Sequence, residues 1–294
     1  FAGSDVSAGV FASAAFTWAR QTVLFLDLGT NGELALQAGG RQVTTSAAAG
    51  PAFEGMGLTC GMMARPGAVC RVDSDRGEIR LETIGGGTPT GICGSGALDL
   101  VAALYEIGVV DRSGRMASRF EGRRLSPSVA WSLEQIDDQK VFKVANGVYL
   151  SQEDIRQIQL AKAALRTAID IMLEELGIGS VDCVVLAGGF GQELRPRSLE
   201  TLGLLPPWLD TRFVEAGNTC LRGCEQLLER PAARSALAER MSSVEHLMLA
   251  GRPDYMDRYI GNLELPERPA PAAPRARAWS RRQRPATPRR PRPS

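Results

Sequence analysis

The sequence predicts a mixed α/β fold, and three observations carry that expectation. An apolar run that reads as a buried strand begins at Val23 and delivers one carboxylate, Asp27, into a Gly29-Thr30-Asn31-Gly32 turn; a second strand follows at Glu33 to Gln37. A glycine-rich segment, Gly85 to Gly96, runs straight into an apolar helix, Ala97 to Ile107. A further apolar strand, Val181 to Ala187, feeds Gly188-Gly189-Phe190-Gly191. Strands and helices that open or close on glycines are the pattern of α/β proteins with ligands at strand ends.

A buried strand rarely ends in Asp unless the charge has a partner. Gly29 and Gly32 let backbone amides converge on an anion, Thr30 adds a hydroxyl, and Asn31 completes the turn. Asp27 is placed to hold magnesium, directly or through water. A tight hairpin whose Asp caps its own turn accounts for the same residues, so both readings stand.

Gly50 to Arg65 is glycine-rich and irregular. Val69 to Ile84 reads as a short hairpin turning at Asp73 to Gly77. At the start of the next helix, Gly94-Ser95-Gly96 offers free amides and the positive dipole end to a phosphate. The competing reading is a connector whose glycines allow close packing.

Asp111 to Asn146 is polar and expected to be a surface insertion, with a small hairpin around Lys140 to Tyr149. Ser151 and Asp154 form an N-cap signature for a helix running to about Leu176, and Gly177 ends it as a left-handed C-cap. Lys162 within this helix is expected to be exposed. At Gly188 to Gly191, backbone without side chains allows adenine or ribose to approach closely; a plain left-handed turn needs only one glycine. Arg212 to Ala216 reads as a strand, Gly217-Asn218-Thr219 as the cap of a helix near Cys220, and Ser235 to Leu249 as a helix. After Pro266 the composition turns to Pro, Arg and Ala, which predicts disorder.

At 294 residues and 44% hydrophobic, the chain can bury a sizeable core. Its formal charge of +1 hides nine arginines and one acid between Glu267 and Ser294. The body is therefore mildly acidic, with no reason to expect nucleic acid as a partner. The six cysteines (Cys60, Cys70, Cys93, Cys183, Cys220, Cys224) include no CxxC pair and read as reduced thiols, which places the chain in the cytoplasm. Cys220 and Cys224 lie one helical turn apart, but with His246 the sole histidine they do not make a metal site. No uncharged apolar stretch reaches 18 residues, so no membrane span is expected. Val6 to Ala19, bracketed by Asp5 and Arg20, reads as a short amphipathic or buried helix rather than a signal segment. A start at Phe1 suggests an upstream part.

DLGTNGE (27–33), GICGSG (91–96) and LAGGFG (186–191), in that order, resemble the ATPases of the acetate and sugar kinase, heat-shock chaperone and actin superfamily. With AAGPAFEG (48–55) and IQLAKAAL (158–165), the chain more narrowly resembles the reductive activators of corrinoid proteins, from Phe1 to about Pro266. The resemblance implies a ribonuclease-H-like actin and sugar-kinase ATPase fold, incomplete here, as the second half plus insertions. It implies an ATPase-like domain over 1–266, with the insertion at about 111–150 and a disordered tail over 267–294.

It also implies ATP and Mg as cofactors. Asp27 would orient the metal as the catalytic carboxylate, Thr30 and the turn amides of Gly29, Asn31 and Gly32 would hold phosphates, and Gly94 and Ser95 would assist. Gly188, Gly189, Phe190 and Gly191 would admit the adenosine. The implied partner is a corrinoid protein of a methyltransferase system, whose Co(II) is reduced to Co(I) at the cost of ATP; a homodimer is compatible with it. Complete relatives carry an earlier DIGTT-type phosphate loop and a two-iron two-sulfur cluster. The sequence here offers neither. A small-molecule kinase of the same superfamily and a non-catalytic module docking a corrinoid protein are the alternatives.

Overall fold

The computed structural model describes residues 3–13, 15, 21–121, 125–189, 193–209 and 211–267. In chain order the elements are α1 (Ser4–Ser13), β1 (Val23–Leu28), β2 (Gly32–Ala38), β3 (Arg41–Ala47), a 3-10 turn (Pro51–Glu54), β4 (Ala68–Asp75), β5 (Glu78–Thr83), β6 (Gly91–Ile92) and α2 (Gly94–Glu106). There follow α3 (Pro127–Ser132), β7 (Leu133–Ile136), β8 (Gln139–Ala145), β9 (Val148–Ser151) and α4 (Gln152–Glu175). The chain continues through β10 (Cys183–Ala187), α5 (Pro196–Leu202), β11 (Arg212–Gly217), α6 (Thr219–Glu229), α7 (Pro231–Ser242), β12 (Glu245–His246) and α8 (Tyr255–Gly261).

The main sheet has the order β11-β10-β1-β2-β3-β12. β1, β2 and β3 form an antiparallel meander, while β10 runs parallel to β1 and β11 parallel to β10. Alternation along β1 sorts its side chains to two faces. Leu24, Leu26 and Leu28 join the larger core with Leu165, Ile169 and Met172 of α4. Val23 and Phe25 join the smaller core with Val6 and Val10 of α1. The same alternation carries Asp27 to the α1 face, at the end of the sheet where β1 and β10 both terminate.

Several local features match the sequence expectation. β4 and β5 turn on Arg76 and Gly77, both with positive φ, as a two-residue hairpin requires. Ser151 Oγ accepts from the Asp154 amide, and Asp154 Oδ2 accepts from the Ser151 amide at 2.8 Å, a complete capping box. Asp154 Oδ1 also accepts from the backbone and hydroxyl of Thr59, which ties the irregular 50–65 segment to α4. Gly177 sits at φ 65° beyond the helix end.

Other expectations are corrected. The hairpin expected around 140–149 is present as β8-β9, but the region holds more: α3 leads into β7, which completes a three-stranded antiparallel sheet whose Leu133, Phe142, Val148 and Leu150 reach the main core. The predicted 235–249 helix ends at Ser242, and Glu245 and His246 instead extend the main sheet beside Val43 and Thr44. α7 buries none of its residues, so no apolar stripe marked its end. Residues after Glu267, where disorder was expected, lie outside the described ones.

Lys162 is not exposed. Only 2% of it is accessible, and its Nζ donates to the Glu264 carbonyl at 2.5 Å. It clamps the segment after α8 across α4, together with Gln159 Nε2 on the Leu263 carbonyl at 2.8 Å. Burial, aided by Arg166, pulls the Lys162 pKa down to about 7 from 10.5. The folded amine thus loses its proton near pH 7, whereas the unfolded one keeps it to about 10.5. Across that window the unfolded state binds the extra proton, so this group makes stability rise with pH. Lys162→Met is expected to flatten the rise in thermal midpoint between pH 7 and 10, measured as the difference from the parent chain.

Candidate nucleotide site

Where β1 and β10 end, a cleft of about 530 Å³ opens, lined by Asp27, Leu28, Gly29, Asn31 and Glu33 of the hairpin and Gly188 and Gly189 beyond β10. α1 contributes Asp5 and Val6, the 3-10 turn Glu54, and the start of α6 Asn218 and Cys220. The volume falls in the range of small-molecule and cofactor sites.

Asp27 and Glu33 are direct cross-strand partners in the β1-β2 register and therefore share a face. Asp27 Oδ2 accepts from the Cys220 thiol at 2.9 Å. Its Oδ1 lies so close to Gly188 that a Cβ there would approach within 2.5 Å, and Gly188 has φ 90°. Space and backbone both demand glycine at that position. Glu33 Oε1 accepts from Ser46 Oγ at 3.0 Å, while Oε2 is buried with no partner among the described residues. Burial raises the pKa of Asp27, with the Cys220 hydrogen bond opposing and Asp5 adding to the rise. Burial likewise raises Glu33, opposed by its Ser46 hydrogen bond.

Among the described residues four carboxylates (Asp5, Asp27, Glu33, Glu54) line this cleft and no Lys, Arg or His does. A polyphosphate cannot enter such a field as a bare anion. A magnesium complex can, since Mg²⁺ is held by one or two carboxylates, waters and substrate phosphates rather than by an all-protein cage. The orphaned Glu33 oxygen and the open wall at Gly189, where a Cβ would meet nothing within 4 Å, fit a ligand at this spot.

The other sequence candidates divide. Thr30 does not line the cleft; its hydroxyl donates to Glu54 Oε1 at 3.1 Å. Gly32 faces α4, where a Cβ would lie 2.0 Å from Leu165 Cδ2, so its role is packing. Gly94 and Ser95 are buried against β4, with Ser95 Oγ donating to the Cys70 carbonyl at 3.2 Å. At Gly96 a Cβ would fall 2.0 Å from the Val69 carbonyl oxygen. The close-packing reading therefore fits this helix start, and none of the three lines the cleft. Phe190 and Gly191 lie outside the described residues. Asp5, Glu54, Asn218 and Cys220 were missed, because they stand far from Asp27 in sequence. Asn218 carried a signal, its N-cap position: its Oδ1 accepts from the Leu221 amide.

A β3-β2-β1-β10-β11 sheet with an acid at the hairpin end and a glycine turn after β10 marks an actin-like ATPase domain of the acetate and sugar kinase, heat-shock and actin class. The chain belongs to the family described as the C-terminal domain of RACo, the ASKHA domain, which matches residues 21–276. It is 31% identical over 251 residues to the corrinoid activation enzyme RamQ of Eubacterium limosum, covering 81% of this chain and 42% of that protein. It is 26% identical over 268 residues to the [Co(II) methylated amine-specific corrinoid protein] reductase of Methanosarcina barkeri, covering 82% and 45%. A solved structure, the reductive activator for corrinoid, iron-sulfur protein, superposes with a TM-score of 0.77 at 31% identity over 90% of this chain and 42% of that one. The chain thus spans less than half the length of these relatives.

Proposed function

We propose that this chain is the nucleotide-binding part of an ATP-dependent reductive activator that restores Co(I) in a corrinoid protein of a methyltransferase system. The observation that carries the nucleotide role is the Asp27 cleft, where a half-buried carboxylate, the hairpin turn and Gly188 converge on one space. The corrinoid role is supported by relatives whose names state it.

In this scheme Asp27 and Glu33 would hold magnesium, and Gly29 and Asn31, which line the same cleft, would lie beside the phosphates. Gly189 would leave room for the adenosine, while Gly188 gives way to Asp27. Bound magnesium would neutralise phosphate charge and screen the four carboxylates from it. In this reading the chain contributes nucleotide-driven conformational change to the activation.

Calorimetric titration of the full chain with ATP tests this directly. Binding is expected with magnesium present and is expected to disappear on chelation, because the acidic cleft then repels the nucleotide. Equal affinity with and without magnesium would overturn the assignment. Phosphoryl transfer to a sugar or to acetate would favour the kinase alternative.

A further inference from the structure

We propose that Cys220 is a positioning residue for the nucleotide site: its thiol donates to Asp27 Oδ2 and fixes the plane of the carboxylate that faces the cleft. The inference rests on the proposed nucleotide role of that cleft and adds a residue to it. Cys220 lies 193 positions from Asp27 and reaches it from the first turn of α6 at 2.9 Å. Asp27 is then held on both sides, by the thiol at Oδ2 and by the tight approach of Gly188 at Oδ1.

The thiol itself has little freedom. At Gly9 of α1 a Cβ would come within 2.9 Å of Cys220 Sγ, and at Gly223 of α6 within 2.0 Å of the Ala8 carbonyl oxygen. The two helices therefore meet at glycines and close the α1 side of the sulfur. Around the pair, Asp5 comes from α1, Glu33 from β2, Glu54 from the 3-10 turn, and Cys224 from the next turn of α6. Among the described residues these charged neighbours are acids or thiols, and the Cys220 hydrogen bond opposes the rise that burial and Asp5 give the Asp27 pKa. In return, burial and Asp27 push the Cys220 thiol up, which keeps it protonated and able to donate.

Two measurements on the full chain test the assignment. In the first, Mg-ATP affinity at a single pH is measured by calorimetry for the parent, Cys220→Ala and Cys220→Ser. Loss of the donor should weaken binding about tenfold, and serine should restore it, since its hydroxyl donates to the same oxygen. In the second, crystal structures of the parent and of Cys220→Ala compare the Asp27 side chain, which should hold one rotamer in the parent and leave it in the variant. Affinity unchanged in Cys220→Ala, no recovery in Cys220→Ser, or an Asp27 rotamer unchanged in Cys220→Ala overturns the positioning role. Failure of the parent chain to bind Mg-ATP overturns the nucleotide reading instead, and the Asp27 rotamer then still decides the thiol–carboxylate pair.

Discussion

Asp27→Ala is expected to abolish Mg-ATP binding while leaving the fold at least as stable as the parent at neutral pH. The two halves of that expectation have separate causes. Asp27 is a half-buried carboxylate whose pKa is raised chiefly by desolvation. For such a group the folded state binds its proton more readily than the unfolded state. Stability therefore falls as pH rises through the window between the ordinary and the raised value, and at pH 7 the charge is a net cost to folding. Alanine removes that cost. Binding suffers instead, because the carboxylate that packs on Gly188 beside the hairpin turn is lost and the remaining acids do not replace it. A loss of about a hundredfold or more, some 2.7 kcal/mol, is the expected scale. Micromolar affinity retained in calorimetry would remove Asp27 from the site. A large drop in thermal midpoint would show that the residue is structural.

Gly96→Ala carries the largest expected effect on folding, and its sign opposes helix propensity. Within a helix alanine is favoured over glycine by about 1 kcal/mol. Here the added Cβ would fall 2.0 Å from the Val69 carbonyl oxygen, 2.7 Å from its carbon and 3.2 Å from the Cys70 nitrogen. These are backbone atoms of β4 and cannot rotate away. α2 would have to back off, loosening the contacts of Ser95 with Cys70 and of Asp99 with Ser198 and Arg195. Overpacking of this kind costs about 3 kcal/mol, which outweighs the propensity gain. Denaturant unfolding measures it, and a stabilised variant would show that α2 does not pack here as closely as described.

Gly96 also shows why glycines were the hardest residues to read. In the sequence, GICGSG before an apolar helix is equally suited to phosphate and to close packing. The choice depends on β4, whose nearness no local pattern encodes. Gly32 is a similar case: the turn before it was legible, but Leu165 of α4 explains the missing side chain. Gly188 went the other way, since its positive φ and its contact with Asp27 place it in the cleft wall. Lys162 was misread for a related reason. Helical spacing put it on α4, but only the Glu264 carbonyl, 102 positions away, gives its buried amine a partner.

The strand ending in Asp27, the hairpin turn, the capped helix from Ser151 and the glycine end of β10 were all legible in the sequence. Each depends on neighbours a few residues apart, and strand period, turn chemistry and caps act at that range. The cleft was decided only in three dimensions. Asp5, Glu54 and Cys220 share the cleft with Asp27 because α1 and α6 pack on one face of the sheet while the 3-10 turn and α4 pack on the other side of the hairpin. The electrostatic character of the site, four carboxylates with one thiol donor, is a sum over those distant elements. Packing, not spacing, sets which charges share a low-dielectric space.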